Sequence, residues 1–313
     1  MRVPSSLIIP QSAAGSTLAA FVRESLPGTS WSKAKELCAA GRVLVDGRPV
    51  LDPARRVSGG EKVEIRAEGP APKREPGLTD LVAHLDADVV VARKPAGLLT
   101  VPFEREDRDT LLALVRVAAR RIEGGKGNPT LRAVQRLDKE TSGLVVFART
   151  LPAQRDLQEQ LSEHAVIRRY LAIVHGAAES AVHETHLVAD RGDGLRGSWG
   201  VFRPAPPGKP PAEAREAITR VSVKQRLRGA TLVECELETG RQHQIRIHLA
   251  EAGHPLVGET VYIRDWRGPL IPSPRPMLHA AVLGFVHPRT GKRLRFEEPP
   301  PEDFAAMLKR LRS

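Results

Sequence analysis

The sequence predicts an α+β fold, in which a mixed, largely antiparallel sheet follows a small separate unit. The chain has 313 residues, a length that fits about two domains. Ala67–Gly77 is rich in proline, glycine and charge and lacks apolar periodicity, which is typical of a linker. Strand-like runs with inserted helical segments follow it, and this order favours α+β. We therefore expect a module at 13–67, a linker at 68–77 and a main domain at 78–313.

The amino-terminal part has the pattern of two helices and a small sheet. Apolar residues at helical spacing predict a first helix over Thr17–Leu26. Ser30 can cap a second helix, Trp31–Ala40, which Gly41 would end. The remaining predicted elements are the strands Val43–Val45 and Lys62–Ile65 and the turn Asp46-Gly47.

The longer part mixes strands with amphipathic helices. Apolar periodicity predicts helices over Leu111–Ile122 and Pro152–His164. β-branched and alternating runs predict these strands: Val89–Ala92, Leu144–Ala148, Tyr170–Val174, Ala217–Val223, Thr231–Glu238 and Gln244–Leu249.

Composition narrows the class of partner and the cellular compartment. Lys and Arg outnumber Asp and Glu by 48 to 37, giving a net charge of +11, which favours nucleic acid or an anionic membrane surface. Only Cys38 and Cys235 occur, without metal-type spacing, which argues against a zinc finger or disulfide framework and fits a reducing cytoplasm. No stretch approaches 18 apolar residues, so we expect neither a signal peptide nor a membrane span.

The strongest chemical signal is the polar run Gln135–Gly143 (QRLDKETSG), which lies between two apolar segments. Such a run places Asp138 in a loop at the edge of the sheet. A single Asp in a turn usually caps the local backbone. Arg136 favours a chemical role for Asp138 over a capping role, because it lies two residues away, on the same side of an extended segment. An arginine there can keep the carboxylate ionised or fill the space left by an extruded base.

The residues Arg136–Ala148 (RLDKETSGLVVFA) resemble the signature of RluA-type pseudouridine synthases. Residues 13–67 likewise resemble the α-L RNA-binding module, named after a ribosomal small-subunit protein. Four further blocks occur in the order of the synthase family: Lys94–Pro102 (KPAGLLTVP), Arg169–Gly176 (RYLAIVHG), Leu237–Gly258 (LETGRQHQIRIHLAEAGHPLVG) and Leu278–Phe296 (LHAAVLGFVHPRTGKRLRF).

The resemblance implies a role for each matching position. Asp138 matches the family's essential aspartate, and Arg136 matches the arginine that supports base flipping. Tyr170 matches the aromatic residue that packs on the target base, and Arg246 matches the basic partner of the aspartate. Gln135 departs from the family, which commonly has His there, and this affects contacts to the neighbouring nucleotide. In the module, the resemblance implies phosphate contacts by Lys33, Lys35, Arg42 and Arg48.

The implied reaction isomerises uridine to pseudouridine in a structured RNA. It needs no redox change, group donor or metal, so we expect no cofactor and no metal. His243, His248 and His254 could suggest a metal site, but a predicted strand would put the first two on opposite faces.

Two other functions stay open. One is an RNA-binding protein with an inactive synthase-like domain, and the other is an Asp-dependent hydrolase, which would need a second carboxylate or a metal. For the synthase, we expect ribosomal RNA as substrate first and transfer RNA second. We expect a cytoplasmic monomer that does not bind membranes.

Overall fold

The computed structural model describes residues 6–39, 42–50, 52–65, 77–104, 107, 109–124, 129–200 and 210–312. The chain divides into two compact units, an amino-terminal unit, Met1–Gly77, and a carboxy-terminal unit, Leu78–Ser313. The predicted linker lies outside the described residues except for Gly77, and so does Gly41.

The amino-terminal unit contains two helices and a four-stranded sheet. Thr17 Oγ1 accepts the Ala20 N–H at the start of the first helix, and Ser30 Oγ accepts the Lys33 N–H at the start of the second. The elements are β1 Leu7–Ile8, α1 Leu18–Ser25, α2 Trp31–Ala39, β2 Val43–Val45, β3 Arg48–Pro49 and β4 Lys62–Ile65. The strands are antiparallel and lie in the order β1-β4-β2-β3.

The turn between β2 and β3 follows from its two residues. Asp46 and Gly47 have φ angles of 50° and 79°, the positive values that a tight two-residue hairpin needs and that Asp-Gly supplies. The helices bury their apolar faces against this sheet in a core of their own. The predicted helices and strands of this unit are present where the structure describes them.

The carboxy-terminal unit is built on an eleven-stranded mixed sheet. Nine strands form a continuous path in the order β11-β10-β12-β13-β9-β14-β8-β6-β5, while β15 pairs with β14 and β7 with β8. The strands are β5 Val82–Leu85, β6 Val89–Lys94, β7 Arg132–Ala133, β8 Ser142–Ala148, β9 Ile167–His175, β10 Ala181–Val188, β11 Gly197–Ser198, β12 Arg215–Leu227, β13 Ala230–Leu237, β14 Leu278–Val286 and β15 Arg293–Glu297.

Four helices pack on this sheet: α3 Leu111–Ile122, α4 Leu151–Ser162, α5 Gln244–Glu251 and α6 Glu302–Arg312. Threonines cap two of them, because Thr110 and Thr150 accept the N–H groups of Ala113 and Ala153. The predicted α+β class and largely antiparallel sheet are confirmed. Within the described residues, no helix has the length and apolar character needed to cross a membrane.

The predicted strand Gln244–Leu249 is wrong, because these residues form helix α5. Ile245, Ile247 and Leu249 alternate in sequence, but the helix is buried on several sides, so apolar residues do not mark a single stripe. The Gln244 side chain also fixes the turn that precedes the helix, since its Oε1 accepts the Arg241 N–H at 2.9 Å and the Thr239 hydroxyl at 2.8 Å.

Strands β8 and β14 meet in the middle of the sheet and run parallel, with Gly143 opposite Ala280. Gly143 has φ 117°, and a Cβ there would lie 2.2 Å from the Ala280 carbonyl oxygen. Only glycine fits this approach. The loop before β8 is therefore fixed against the centre of the sheet.

Candidate active site

All four residues predicted to act in catalysis line one cleft of about 810 Å³ in the carboxy-terminal unit. Asp138 lies in the loop Gln135–Gly143, hereafter the Asp138 loop, and Tyr170 lies on β9. Arg246 lies on α5, and Arg136 is exposed at the cleft surface. Side chains from the Asp138 loop, from strand β9 and from helix α5 thus converge on one cleft.

Buried polar side chains fix the Asp138 loop from below. Thr100 Oγ1 accepts the Leu137 N–H at 3.1 Å and donates to the Leu137 carbonyl at 2.8 Å. Lys94 Nζ donates to the carbonyls of Lys139 and Thr141 at 2.7 and 2.8 Å. These bonds satisfy loop carbonyls that are hidden from water, and they hold the Asp138 backbone between two anchored neighbours.

Lys94 is a buried lysine with an altered pKa. Burial lowers its pKa to about 7, against the opposing effect of the nearby carboxylates of Glu140 and Asp138. A third bond from Nζ, to the Pro95 carbonyl at 3.0 Å, completes the three donors of an ammonium group. We interpret Lys94 as a support for the loop, since its donors all point to backbone oxygens.

Arg246 is shared unequally between two carboxylates. Its Nη1 lies 3.9 Å from Asp138 Oδ2, whereas Nε and Nη2 donate to the two oxygens of Glu259 at 2.8 and 2.7 Å. The two-bond geometry with Glu259 is the stronger contact. Asp138 therefore lies beside a fixed positive charge without being locked into a two-bond pair.

Glu259 is the residue that sequence reasoning missed. Its side chain is 0% exposed. Burial acts to raise the pKa of Glu259, but the Arg246 guanidinium and backbone N–H groups hold it below its usual value. Oε1 accepts the N–H groups of Thr260, Val261 and Tyr262. The sequence did contain a signal of a paired Glu259, because this residue directly follows His-Pro-Leu-Val-Gly. A lone carboxylate beside an apolar run needs a cationic partner when it is buried.

His243 is a further neighbour of the carboxylate. Its Nε2 lies 4.0 Å from Asp138 Oδ1, and Nδ1 hydrogen-bonds with the Tyr262 hydroxyl at 2.8 Å. Burial lowers the pKa of His243, although the Asp138 charge opposes this, and the burial favours the neutral ring. Its φ of 59° lies in the left-handed region, immediately before α5.

Tyr170 presents a buried ring to the cleft and is 8% exposed. Burial raises the pKa of the phenol to about 12; the Arg168 charge opposes this and the Asp138 charge adds to it. The phenol is therefore protonated at neutral pH and cannot serve as a base. Its contribution is an apolar face and one hydroxyl. Gln135, where the family commonly has His, also lines the cleft.

The predicted RNA-binding residues of the amino-terminal unit lie in α2 and the segment after it. Lys33 and Lys35 are exposed, and Lys33 Nζ pairs with Glu36 at 3.0 Å. Arg42 is partly buried. Arg48 opens β3, and its side chain is outside the described part of the structure.

The three histidines considered for a metal have other partners. His248 lies on α5, not on a strand, and bonds to Thr185 and Thr219 at 2.9 Å each. His254 Nδ1 bonds to the His175 carbonyl at 3.0 Å. The prediction that His243 and His248 face opposite sides of a strand is therefore wrong, because both belong to the start and body of a helix.

One cluster among the described residues has ligand-type atoms close together, namely Asp86, Asp88 and His287. Both carboxylates already lie against other side chains. Asp86 Oδ2 contacts both His84 and His287, and Arg289 Nε lies 2.6 Å from Asp88 Oδ2. None of these residues lines the cleft.

Comparison with known proteins matches both parts of the chain. The family model described as RNA pseudouridylate synthase matches residues 88–251, and the S4 domain model matches residues 17–63. Ribosomal large subunit pseudouridine synthase D of Neisseria meningitidis is 36% identical over 98% of this chain and 81% of its own. The protein of that name from Xanthomonas campestris is 34% identical over 97% of this chain and 92% of its own.

A solved structure gives the same result for the fold. Human RNA Pseudouridylate Synthase Domain Containing 4 has a TM-score of 0.60 and 25% identity, covering 75% of this chain and 94% of its own. The predicted resemblance to RluA-type synthases, with an α-L or S4 module ahead of them, is confirmed. On these matches, and on a cleft built from the family's sequence blocks, the chain belongs to the RNA pseudouridylate synthase family and is an RNA pseudouridine synthase.

Proposed function

We propose that this enzyme isomerises specific uridines of large-subunit ribosomal RNA, with Asp138 as its catalytic carboxylate. The names of the Neisseria and Xanthomonas relatives, both ribosomal large subunit pseudouridine synthases, support ribosomal RNA as the substrate. Transfer RNA was the second expectation, and neither of those relatives is named for it. A cytoplasmic monomer belongs to the same proposal, because the substrate is ribosomal and one chain supplies all four site residues.

The observation that carries this proposal is the placement of Asp138 beside Arg246. The uracil must leave its sugar carbon, rotate and rejoin through a ring carbon. Attack on the sugar, attack on the base and removal of a sugar proton all require an ionised carboxylate next to the target. Arg246 Nη1, at 3.9 Å, supports that charge while Glu259 holds the rest of the guanidinium.

Arg136 and Tyr170 fit the needs of base extrusion. A uridine within a stem must leave its stack, which costs a few kcal/mol and needs a replacement group and a packing surface. Arg136 is exposed on the Asp138 loop, two residues before the carboxylate, so it can enter the vacated space. Tyr170 is buried beneath the cleft and offers its ring to a base that enters.

The test is to map pseudouridines in total RNA from cells with and without the gene. We expect at least one site in large-subunit ribosomal RNA to disappear and to return with the wild-type gene but not with Asp138→Asn. Loss of a site in transfer RNA alone would contradict the ribosomal assignment. Restoration of the site by Asp138→Asn would contradict the role of the carboxylate.

A further inference from the structure

Phe103 is the most exposed large apolar side chain among the described residues, with 84% of its surface accessible. It also lines the cleft that contains Asp138. Burying a Phe side chain typically stabilises a protein by about 1.5–3 kcal/mol, so the exposed Phe103 ring does not add this free energy to the stability of the fold. The chain has only seven Phe residues, and one of them stands at the rim of the cleft.

The backbone at Phe103 is held in place by a nearby carboxylate. Asp107 Oδ2 accepts the N–H groups of Phe103 and Glu104, both at 2.9 Å. These two bonds are the main reason that the pKa of Asp107 is lower than usual. The backbone that carries the ring is thus bonded to the Asp107 side chain.

The segment that carries Phe103 is tied directly to the Asp138 loop. The Leu111 N–H donates to the Leu99 carbonyl at 2.8 Å, and the Leu112 N–H donates to the Thr100 carbonyl at 3.1 Å, which closes the base of the segment. Thr100 also bonds to both backbone groups of Leu137, the residue before Asp138. Thr100, three residues before Phe103, is therefore bonded to the neighbour of Asp138.

The charges that line the same cleft as Phe103 indicate what the ring contacts. The cleft is also lined by the cationic side chains of Arg136, Lys139, Arg168, Arg241 and Arg246. Lys139 and Arg241 are exposed and can meet phosphates. An exposed aromatic ring among cations is the arrangement by which proteins bind single-stranded nucleic acid, because the ring stacks on a base while the cations follow the backbone.

We propose that Phe103 stacks on an unpaired RNA base next to the target uridine and so helps to select and position the substrate. This rests on the proposed function, and it assigns to Phe103 a role different from that of Tyr170. Tyr170 is buried inside the cleft, where the target base would enter, whereas Phe103 stands at the rim, where a flanking nucleotide passes.

The test compares variants of the full chain in two assays. One assay measures affinity for a fluorescein-labelled single-stranded oligouridine, and the other measures kcat and KM on a large-subunit ribosomal RNA transcript. Loss of one stacked base should weaken binding by about 5- to 100-fold. Phe103→Ala should show this loss and a matching rise in KM, while kcat stays within about twofold because the ring does not touch the reacting atoms.

Three substitutions distinguish stacking from other roles. Phe103→Trp and Phe103→Tyr should keep wild-type affinity, while Phe103→Leu should behave like alanine, because it keeps apolar area but has no π-face. The dependence of affinity on salt should not change, since no phosphate contact is lost. Leu270→Ala is the control, because Leu270 is exposed but does not line the cleft.

The outcomes separate this proposal from the proposed function. If Phe103→Ala matches Leu270→Ala in affinity and KM, or if leucine restores both, stacking is wrong even though the enzyme is active. A large drop in melting temperature for Phe103→Ala would also overturn it, because the ring would then be packing within the protein. If the alanine variant loses affinity for oligouridine but wild type modifies no ribosomal RNA, the stacking role stands and the ribosomal substrate fails.

Discussion

The cationic side chains predicted to act on RNA are held differently in the amino-terminal unit and in the cleft. On α2, Lys33 and Lys35 are exposed, and the ion pair between Lys33 and Glu36 is open to solvent on both sides. In the cleft, Arg246 has a side chain that is only 11% exposed and is bound through two bonds to a fully buried Glu259.

We expect this difference to separate charges that add affinity for RNA from charges that support the reaction. An exposed lysine contributes a modest, screened interaction that a neighbour can replace. A buried pair is different, because removing one partner leaves an uncompensated charge in a poorly solvated place. We therefore expect substitutions in the cleft to change turnover strongly and substitutions on α2 to change binding weakly.

The largest effect should come from Asp138→Asn. The substitution keeps volume and removes the charge and basicity of the carboxylate, so kcat should fall by at least about a thousandfold. RNA affinity and the melting temperature should stay near wild type, because the ion-pair neighbours of Asp138 among the described residues, Arg246 and His243, lie 3.9 and 4.0 Å from its oxygens. Single-turnover assays on ribosomal RNA measure this, with Glu184→Gln, an exposed carboxylate on β10, as the control. Residual activity within tenfold of wild type would contradict the assignment.

Glu259→Gln should have the next largest effect. Without the carboxylate, Arg246 is free to close on Asp138 and hold it in a tight pair, so kcat should fall by about 10- to 100-fold with little change in KM. Glu259→Asp should recover part of the loss, because it restores the charge.

The matched control is Glu251→Gln. Glu251 also accepts from a buried arginine, Arg191, at 3.2 Å, but it lies outside the cleft. Both variants should lose stability, since each breaks a buried pair. Only Glu259→Gln should lose turnover in the protein that remains folded, and equal kcat values for the two variants would reject the positioning role.

Mild acid should lower the stability of the carboxy-terminal unit more than that of the amino-terminal unit. All ten histidines follow residue 77, and burial, followed by the charge of His183, lowers the pKa of His248 from its ordinary 6.5 to about 4. Between pH 4 and pH 6.5, His248 therefore binds more protons in the unfolded chain than in the folded chain. The stability that depends on the neutral, buried His248 ring is fully present above pH 6.5 and is lost as the pH falls towards 4. At pH 5, His248 alone should cost the carboxy-terminal unit about 2 kcal/mol of unfolding free energy.

Hydrogen exchange measured by mass spectrometry at pH 7 and pH 5, corrected for intrinsic rates, tests this. Protection should fall in peptides from the carboxy-terminal unit and hold in peptides from the amino-terminal unit. His248→Gln, which can keep bonds to Thr185 and Thr219, should reduce the dependence on pH. An equal loss of protection in both units would show that carboxylates, not buried histidines, determine acid sensitivity.

The smallest effect should come from the exposed lysines. Replacing Lys33 and Lys35 by Gln should weaken RNA binding by a few-fold and reduce the salt slope by about one for each lost phosphate contact, with kcat unchanged. Glu36→Gln is the opposite control, because it frees Lys33 from its ion pair and should strengthen binding slightly. An unchanged salt slope in the double variant would place the RNA-binding surface elsewhere.

The sequence predicted most of the fold because its local signals agree with the tertiary structure. Helix α3 spans Leu111–Ile122 and β4 spans Lys62–Ile65, as periodicity and β-branching indicated. Helix α5 was missed because burial on several sides removes the stripe that marks a helix. The cleft was predicted around Asp138, whereas Glu259 was not, since its importance depends on a contact with Arg246 that only the folded chain creates.

The central position of β14 has a consequence for how the enzyme is made. This strand begins at Leu278 and lies between β8 and β9. Until it is made, the earlier strands of this sheet can form only two separate halves, one that contains β8 and one that contains β9. The Asp138 loop precedes β8 in one half, while Tyr170 lies on β9 in the other. During synthesis, the nascent chain must keep two unpaired strand edges apart until this late strand emerges, and such edges are prone to aggregation. Turnover therefore begins only when β14, Leu278–Val286, has closed the sheet.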